Sequence, residues 1–298
     1  MEAIVASEVF RNAVLEGTLA AVLCSAVGYF MVLRALTFAG EALTDIGFAG
    51  ATGGVLFGFG PLWGMLGLGF LAVLTLGGLS EKIRGRDVEI GMTLSFALGL
   101  GVLFLSLFGP ASGSHSGGVN LLFGSLVSVT PEVIGGSLIV AVLVLAVLAV
   151  IFRPLLFASI DASTARARGV PTRLLGLVFL GLLAATTAVS VQALGVLLSS
   201  ALLVAPAGAA HNFRRGPGTT LVLGLIFALG ITWTGLALAF FGPWEKAPAS
   251  FYICVLAAGV YGVSLLADRW RSRLPQQQSP HHHHDHHEAE TLGHKRED

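Results

Sequence analysis

Two carboxylates lie four residues apart inside an apolar run of this sequence. Glu41 and Asp45 occur in "FAGEALTDIGFAGATGG", residues 38–54. Side chains four positions apart lie on one face of a helix, one turn from each other. Two oxygen-rich side chains at that spacing can ligate one divalent cation. Acids retained at membrane depth usually mark an ion path. The pair therefore predicts a cation site.

Helical geometry separates these acids from a set of glycines. At about 100° per residue, Asp45, Phe48 and Thr52 all fall within about 40° of Glu41. The roughly opposite face carries Gly50, Gly54 and Gly58. We expect the glycine face to pack against a neighbouring helix and the acid face to line a cavity or the bundle interior. Two alternative roles are open for Glu41: its carboxylate could snorkel to the membrane interface, or it could pair with a basic group on a neighbouring helix.

Composition places these acids in a membrane protein. The chain has 298 residues, 54% hydrophobic and 11% charged, with a mean hydropathy of +0.82. Long apolar stretches recur, as in proteins made of transmembrane helices. The formal net charge of +0 argues against a nucleic-acid partner. The sequence lacks the G-x-x-x-x-G-K-[ST] motif, so it cannot bind ATP through a P-loop.

The apolar runs predict an all-α, polytopic transmembrane helical bundle with about eight or nine spans. We expect residues 1–274 to form a transmembrane domain and 275–298 to form a disordered, His-rich tail. One window could be re-entrant, and 194–210 is the weakest. The nine windows are 12–33, 36–59, 61–79, 88–108, 131–152, 174–192, 194–210, 219–241 and 250–267.

The distribution of Lys and Arg predicts the orientation of the chain. Basic segments are "EKIRGRD" (81–87), the loop 152–173, "HNFRRG" (211–216) and "DRWRSR" (268–273). The positive-inside rule places these segments and the C-terminus in the cytoplasm. The predicted location is the inner (plasma) membrane.

Residues 32–54 resemble the signature of the permease subunits of ABC-type importers for zinc, manganese and iron. That signature contains Gly-Asp-x-Leu-Ser-His-x-x-x-x-Gly. The matching positions are Gly40, Leu43 and Gly50. Glu41 stands where the family has Asp, Thr44 where it has Ser, and Asp45 where it has His. The resemblance implies that Glu41 and Asp45 are metal ligands of the translocation path. The loss of imidazole weakens the argument for zinc and leaves manganese or iron open.

Three later segments strengthen the resemblance, which covers most of residues 10–267. "RGRDVEIGMTLSFALGLGVLFLS" (84–106) is similar to the family's Glu-Asp-x-x-Ile-Gly stretch, and "LLFGSLVSVTP" (121–131) to its Leu-Phe-Gly-x-Leu segment. "AVSVQALGVLLSSALLVAPAGAA" (188–210) is the most specific of the three. Gln192 in that segment is either a hydrogen-bonding residue between helices, which such a pattern favours, or a ligand.

The loop "FASIDASTARARGVPTR" (157–173) is the candidate for coupling to an ATPase. Asp161 can cap a short helix beginning at Ala162, and Gly169 can end it. The loop resembles the family's coupling segment through Asp161, Ala165 and Gly169, although Ser163 replaces the usual Glu. The alternative is a plain positive-inside loop.

The resemblance implies an ABC ATPase subunit, an extracytoplasmic metal-binding protein and a permease homodimer in membrane lipid. ATP hydrolysis would belong to that ATPase, so this chain is not expected to be an enzyme.

The C-terminal tail carries a second set of metal-ligand residue types. Imidazoles beside carboxylates suit zinc, nickel or copper, and an expression tag is the alternative. We expect no permanently bound cofactor, and the tail favours zinc as the transported metal. The candidate tail ligands are His281, His282, His283, His284, His286 and His287.

Two other functions remain open at this point. An ion-coupled secondary metal transporter would need no ATPase and would use the acids as proton or ion sites. A membrane metal sensor could use the His-rich tail as its input, but it leaves Glu41 and Asp45 unexplained.

Overall fold

The computed structural model describes residues 8–79, 86–112, 124, 131–213, 216–241 and 249–273, and these residues form ten α-helices and no strand. The all-α prediction is therefore confirmed. The helices are α1 (Glu8–Leu33), α2 (Thr37–Leu56), α3 (Pro61–Leu79), α4 (Arg86–Ser112), α5 (Pro131–Ile160), α6 (Ala162–Ala167), α7 (Thr172–Leu194), α8 (Val196–His211), α9 (Pro217–Phe241) and α10 (Ala249–Arg273).

Five of these helices, α1, α5, α7, α9 and α10, contain segments long and apolar enough to cross a membrane. Shorter apolar stretches occur in α3 (Pro61–Thr75), α4 (Gly91–Leu107) and α8 (Leu198–His211). Each predicted apolar window corresponds to one helix, but the number of spans stays a prediction.

Helix α5 extends beyond its predicted window. The window ended at 152, whereas α5 continues through Pro154 to Ile160. Proline removes one backbone hydrogen bond and usually kinks or ends a helix. Here Leu155 and Ala158 are buried against the rest of the bundle. Packing of the residues after the proline therefore outweighs the local preference to stop.

Helix α1 occupies the centre of the bundle and packs against α5, α7, α8 and α9. The ring of Phe30 meets Phe152 of α5 edge-on, with centroids 5.3 Å apart, and lies 6.3 Å from Phe179 of α7. Small residues on α1 allow close contact elsewhere. A Cβ on Gly28 would collide with the carbonyl oxygen of Leu203 on α8. These contacts fix α1 among the helices that surround it.

Helix α2 packs against α3 through two of the predicted glycines. A Cβ on Gly50 would lie 2.6 Å from the carbonyl oxygen of Gly64, and a Cβ on Gly54 would lie 2.9 Å from the Cα of Gly64. Real Cβ atoms do not come that close, so the glycine-face prediction is confirmed for these residues. It is wrong for Gly58, because α2 ends at Leu56 and Gly58 lies in the following turn with φ +79°.

Candidate functional site

The two acids of α2 occupy different environments. Asp45, near the middle of the helix, is buried with 9% of its surface exposed, whereas Glu41, one turn earlier, is exposed. The interior position that was predicted as one possibility for the acid face is therefore found for Asp45. Glu41 does not lie in the interior of this chain, and its predicted roles in a cavity or at the interface stay predictions. The reason is the position of the neighbouring helices, which bury residues 42–54 of α2 on all sides. The first five residues are covered on one side only, so that Ala39 and Gly40 are buried whereas Phe38 and Glu41 are exposed.

The rest of the predicted acid face is filled by packing. Phe48 is buried, and a Cβ on Gly101 of α4 would lie 2.5 Å from its ring. Thr52 is buried and donates its hydroxyl to the carbonyl oxygen of Phe48 at 3.0 Å. Phe48 and Thr52 are therefore packing residues of the bundle, and Glu41 and Asp45 are the two residues of this face that carry a charge-bearing side chain.

Arg34, the basic residue just before α2, lies against α7. Its guanidinium carbon is 5.6 Å from the ring centroid of Phe179, and its Nη1 atom is buried without a hydrogen-bond partner in the described part of the chain. Within the described residues, neither Glu41 nor Asp45 forms an ion pair with a basic side chain. Among the described residues, no basic side chain therefore neutralises either carboxylate.

Residues between α7 and α8 form a break in the helical path. Gly195 separates the two helices with φ +83°, and a Cβ on Gly124 would lie 2.8 Å from the backbone nitrogen of Gly195. Gln192, three residues before the break, has a buried Oε1 atom that lacks a hydrogen-bond partner among the described residues. The interhelical hydrogen bond that the sequence favoured is not made by this atom.

The coupling candidate is a short helix with a closed N-terminus. Asp161 is extended (φ −140°, ψ 95°), and its Oδ1 accepts hydrogen bonds from the backbone nitrogens of Ser163 and Thr164, both at 3.0 Å. The Ser163 hydroxyl also donates to Oδ1 at 2.6 Å, and the Thr164 hydroxyl donates to Oδ2. Hydrogen bonds from the Ser163 and Thr164 side chains hold the pKa of the Asp161 carboxyl well below its usual range. The predicted cap is confirmed, and Ser163 is part of it.

The other end of α6 is closed by Gly169, as predicted. Gly169 has φ +81°, and its N–H donates to the carbonyl of Arg166 at 2.9 Å. The N–H of Val170 donates to the carbonyl of Ala165 at 3.0 Å, which completes a Schellman motif. Ala165 is fully buried and anchors the motif, whereas Gly169 is exposed.

Two arginines connect α6 to the helices that flank it. Arg166 donates from Nε to the Thr172 hydroxyl at the start of α7, at 3.0 Å. The guanidinium carbon of Arg168 lies 5.7 Å from the ring centroid of Phe157 near the end of α5. These contacts link α5, α6 and α7 into one braced corner. Such a corner can transmit a movement from a docked domain into two membrane helices.

Conventional metal-binding clusters are missing from the described part of the chain. No three His, Cys, Asp or Glu side chains converge there. The six tail histidines from His281 to His287 lie outside the described residues, so their ligand role stays a prediction. One chain therefore offers the two α2 carboxylates, and a cation bound there needs further oxygen ligands from water or a second chain.

A third acid lies in the bundle and was not among the site residues predicted from the sequence. Glu16, the ninth residue of α1, is fully buried, and its Oε1 accepts a hydrogen bond from the hydroxyl of Ser137 on α5 at 2.6 Å. The sequence feature that could have identified Glu16 is its position directly before the apolar run "GTLAAVLC", residues 17–24. Its partner lies on a helix more than a hundred positions away, and no local pattern identifies it.

The chain resembles known transport proteins over most of its length. A family model described as "ABC 3 transport family" matches residues 6–268. The "Probable metal transport system membrane protein" of Treponema pallidum (strain Nichols) is 30% identical over 269 residues, covering 88% of this chain and 97% of the relative. The "Manganese import system permease protein ScaB" of Streptococcus gordonii is 26% identical over 231 residues, covering 77% of this chain and 82% of the relative.

A solved structure has the same fold. The structure of PsaBC from Streptococcus pneumoniae in complex with Fab contains a chain that aligns with a TM-score of 0.79 and 23% identity, covering 89% of this chain and 93% of that one. The family match extends across α1 to α10 and includes both the α2 acids and the α6 corner. The chain belongs to the ABC 3 transport family.

Proposed function

We propose that this chain is the membrane-spanning permease subunit of an ATP-driven importer of divalent metal cations, with Glu41 and Asp45 lining the path. The observation that carries the proposal is the state of Asp45. It lies mid-helix, is 9% exposed, and has no basic partner among the described residues. An ionised acid in that place is costly unless a cation visits it. The exposed Glu41 one turn away supplies the second carboxylate.

The nature of the cation follows from the ligands and the relatives. Two carboxylates without imidazole favour hard or intermediate ions such as manganese or iron, and the relative from Streptococcus gordonii is named for manganese import. The His-rich tail favours zinc, which is the metal predicted from the sequence. Zinc and manganese are therefore the two candidates, and transport in competition distinguishes them.

The energy source in this proposal is a separate ABC ATPase that docks at the α6 corner. The corner is braced on both sides, by Arg166 to Thr172 and by Arg168 to Phe157. The sequence of this chain contains no P-loop motif, so ATP would be bound by the ATPase subunit. A homodimer of this permease, two ATPase subunits and an extracytoplasmic metal-binding protein complete the complex. The chain would lie in the inner membrane with the C-terminus and the tail of residues 275–298 in the cytoplasm.

Radiolabelled metal uptake, normalised to inserted protein, tests this proposal. Asp45→Asn and Glu41→Gln preserve size and hydrogen bonding but remove the charges. We expect Asp45→Asn to lower uptake by at least about tenfold. Mutation of a residue that only hydrogen-bonds to a metal ligand already lowers metal affinity or activity by about tenfold or more, and loss of a ligand charge should cost at least as much. Glu132→Gln, which removes an exposed acid from the first turn of α5, is the matched control. Normal uptake in both α2 variants would remove these residues from the mechanism.

A second arm of the experiment addresses the energy source. Uptake into cells or proteoliposomes should require the ATPase subunit and hydrolysable ATP. Uptake that continues without the ATPase and follows an imposed proton gradient would support an ion-coupled secondary transporter instead.

A further inference from the structure

Glu16 is a buried acid that is not part of the proposed metal path. Its side chain is fully buried in α1, and its Oε1 accepts the hydroxyl of Ser137 at 2.6 Å. Its other carboxyl oxygen, Oε2, is also buried and has no hydrogen-bond partner among the described residues. Ser137 is itself fully buried. A charged carboxylate at this position would need several donors or a positive ion beside it.

Basic side chains on the surrounding helices do not supply that positive charge. Arg11 is exposed on α1 and lies about 140° around the helix from Glu16. Arg153 of α5 lies sixteen positions beyond Ser137, about 24 Å along the helix. Arg173 of α7 and His211 of α8 are exposed at helix ends, and α9 contains no Lys, Arg or His.

Other titratable groups near α1 are acidic or neutral. Glu8 and Glu132 are exposed at the starts of α1 and α5. Cys24 is a buried thiol two turns further along α1. The acids of α2, Glu41 and Asp45, lie on a helix that makes little contact with α1. None of these groups can neutralise a negative charge at Glu16.

A metal ion does not fit this site either. The hard divalent cations take six or more oxygen ligands, or keep several waters. One carboxyl group and one hydroxyl are far short of that number, and no third acid, His or Cys joins them in the described residues. None of the described groups supplies a positive charge beside Glu16, and a proton is a cation that needs only a single oxygen.

We propose that Glu16 is an intramembrane proton-binding site. The proton forms an O–H bond with one carboxyl oxygen, and the neutral acid keeps the hydrogen bond from Ser137 that joins α1 to α5. Any rearrangement that separates α1 from α5 and admits water to Glu16 then releases this proton. Exposure and reburial of Glu16 would couple proton release and uptake to movement of α1. The site stands apart from the α2 acids and does not rest on the proposed metal path.

Infrared difference spectroscopy of the purified full-length chain in lipid tests the proposal. At neutral pH, the wild type minus Glu16→Gln spectrum should contain the carbonyl stretch of a protonated carboxylic acid. The matched control is Glu8→Gln, which removes an exposed acid from the first turn of the same helix. That difference spectrum should contain the two carboxylate bands instead. Carboxylate bands in the Glu16→Gln difference spectrum would overturn the proposal.

A second variant keeps the test decisive if Glu16→Gln does not fold. Ser137→Ala removes the hydroxyl but leaves Glu16 in place. Loss of that hydrogen bond should move the acid carbonyl stretch to higher frequency. A protonated-acid region that is identical in wild type and Ser137→Ala would show that the bound proton is not at Glu16.

Discussion

Gly50 of α2 and Gly64 of α3 approach so closely that neither has room for a side chain. A Cβ on Gly50 would lie 2.6 Å from the carbonyl oxygen of Gly64, and a Cβ on Gly64 would lie 2.7 Å from the Cα of Gly54. The atoms in the way are backbone atoms, which cannot rotate aside. This contact holds the helix that carries Glu41 and Asp45 against its neighbour.

We therefore expect Gly64→Ala to lower the free energy of unfolding by about 1–3 kcal/mol, because overpacking forces the backbones of α2 and α3 apart. Gly67→Ala is the control, since Gly67 lies three residues further along α3, is exposed, and faces open space. It should be neutral or stabilising by up to about 1 kcal/mol. Unfolding in mixed micelles, followed by circular dichroism, measures both. Equal stability of the two variants would contradict the close contact.

Ala35, in the connection between α1 and α2, has φ +53°, a conformation that favours glycine. Its N–H donates to the carbonyl of Val32 at 3.1 Å, and the N–H of Leu36 donates to the carbonyl of Met31 at 2.9 Å. Ala35→Gly should raise the free energy of unfolding by about 1 kcal/mol through relief of the left-handed strain. Ala39→Gly, inside α2, should lower it by a similar amount. Destabilisation by Ala35→Gly would argue against this turn geometry.

The cap of α6 predicts a difference between two substitutions of Asp161. Asp161→Asn retains a good N-cap acceptor, whereas Asp161→Ala leaves the first N–H groups of α6 without one. We expect stimulation of the partner ATPase to be near normal in Asp161→Asn and reduced in Asp161→Ala, with similar amounts of inserted protein. Equal stimulation in both variants would move the coupling site elsewhere, for example to residues 211–216.

The lowered pKa of Asp161 also predicts the pH dependence of this cap. A carboxyl with a depressed pKa stabilises the fold above its unfolded pKa of about 3.9, and the effect is lost as the pH falls through the lower folded pKa. The cap should therefore stay intact from pH 5 to pH 8, the range that the ATPase assay would cover. Any change in stimulation over that range should be the same in wild type and Asp161→Asn.

Metal preference should follow the ligand type at Asp45. Asp45→His introduces an imidazole and should retain uptake while shifting preference from manganese toward zinc. Glu41→Asp keeps the carboxylate and should be tolerated. Uptake of each radiolabelled metal in competition with the other measures the ratio. An unchanged ratio in Asp45→His would mean that residue 45 does not contact the cation.

Deletion of residues 281–298 tests the His-rich tail. The deleted residues follow α10, the last helix of the described residues, in the sequence, so folding and uptake should be largely unchanged, while zinc bound per purified chain should fall. Equilibrium dialysis against zinc measures the stoichiometry. Equal zinc binding with and without the tail would rule out a role as a metal store.

Local features of the fold could be predicted because their causes lie within a few residues. Asp161 and Gly169 close α6 through hydrogen bonds to neighbours no more than a few positions away, so the residue types alone indicated both ends. Gly50 and Gly54 recur at helical spacing and mark a face for close packing. The extension of α5 past Pro154 could not be predicted in this way, because burial of Leu155 by other helices decides it.

The sequence by itself determined the class of protein, the approximate positions of the apolar helices, the acid pair in α2 and the capped α6 segment. The length of the apolar runs, the residue periodicity and the capping residues determine local helical structure, and they leave few alternatives for where each helix lies in the sequence. Only the tertiary structure decided that Asp45 is buried while Glu41 is exposed, because that depends on which helices cover α2. It alone brought Ser137 to Glu16 across 121 positions. Contacts at that separation are set by the packing of whole helices, which no short stretch of sequence encodes.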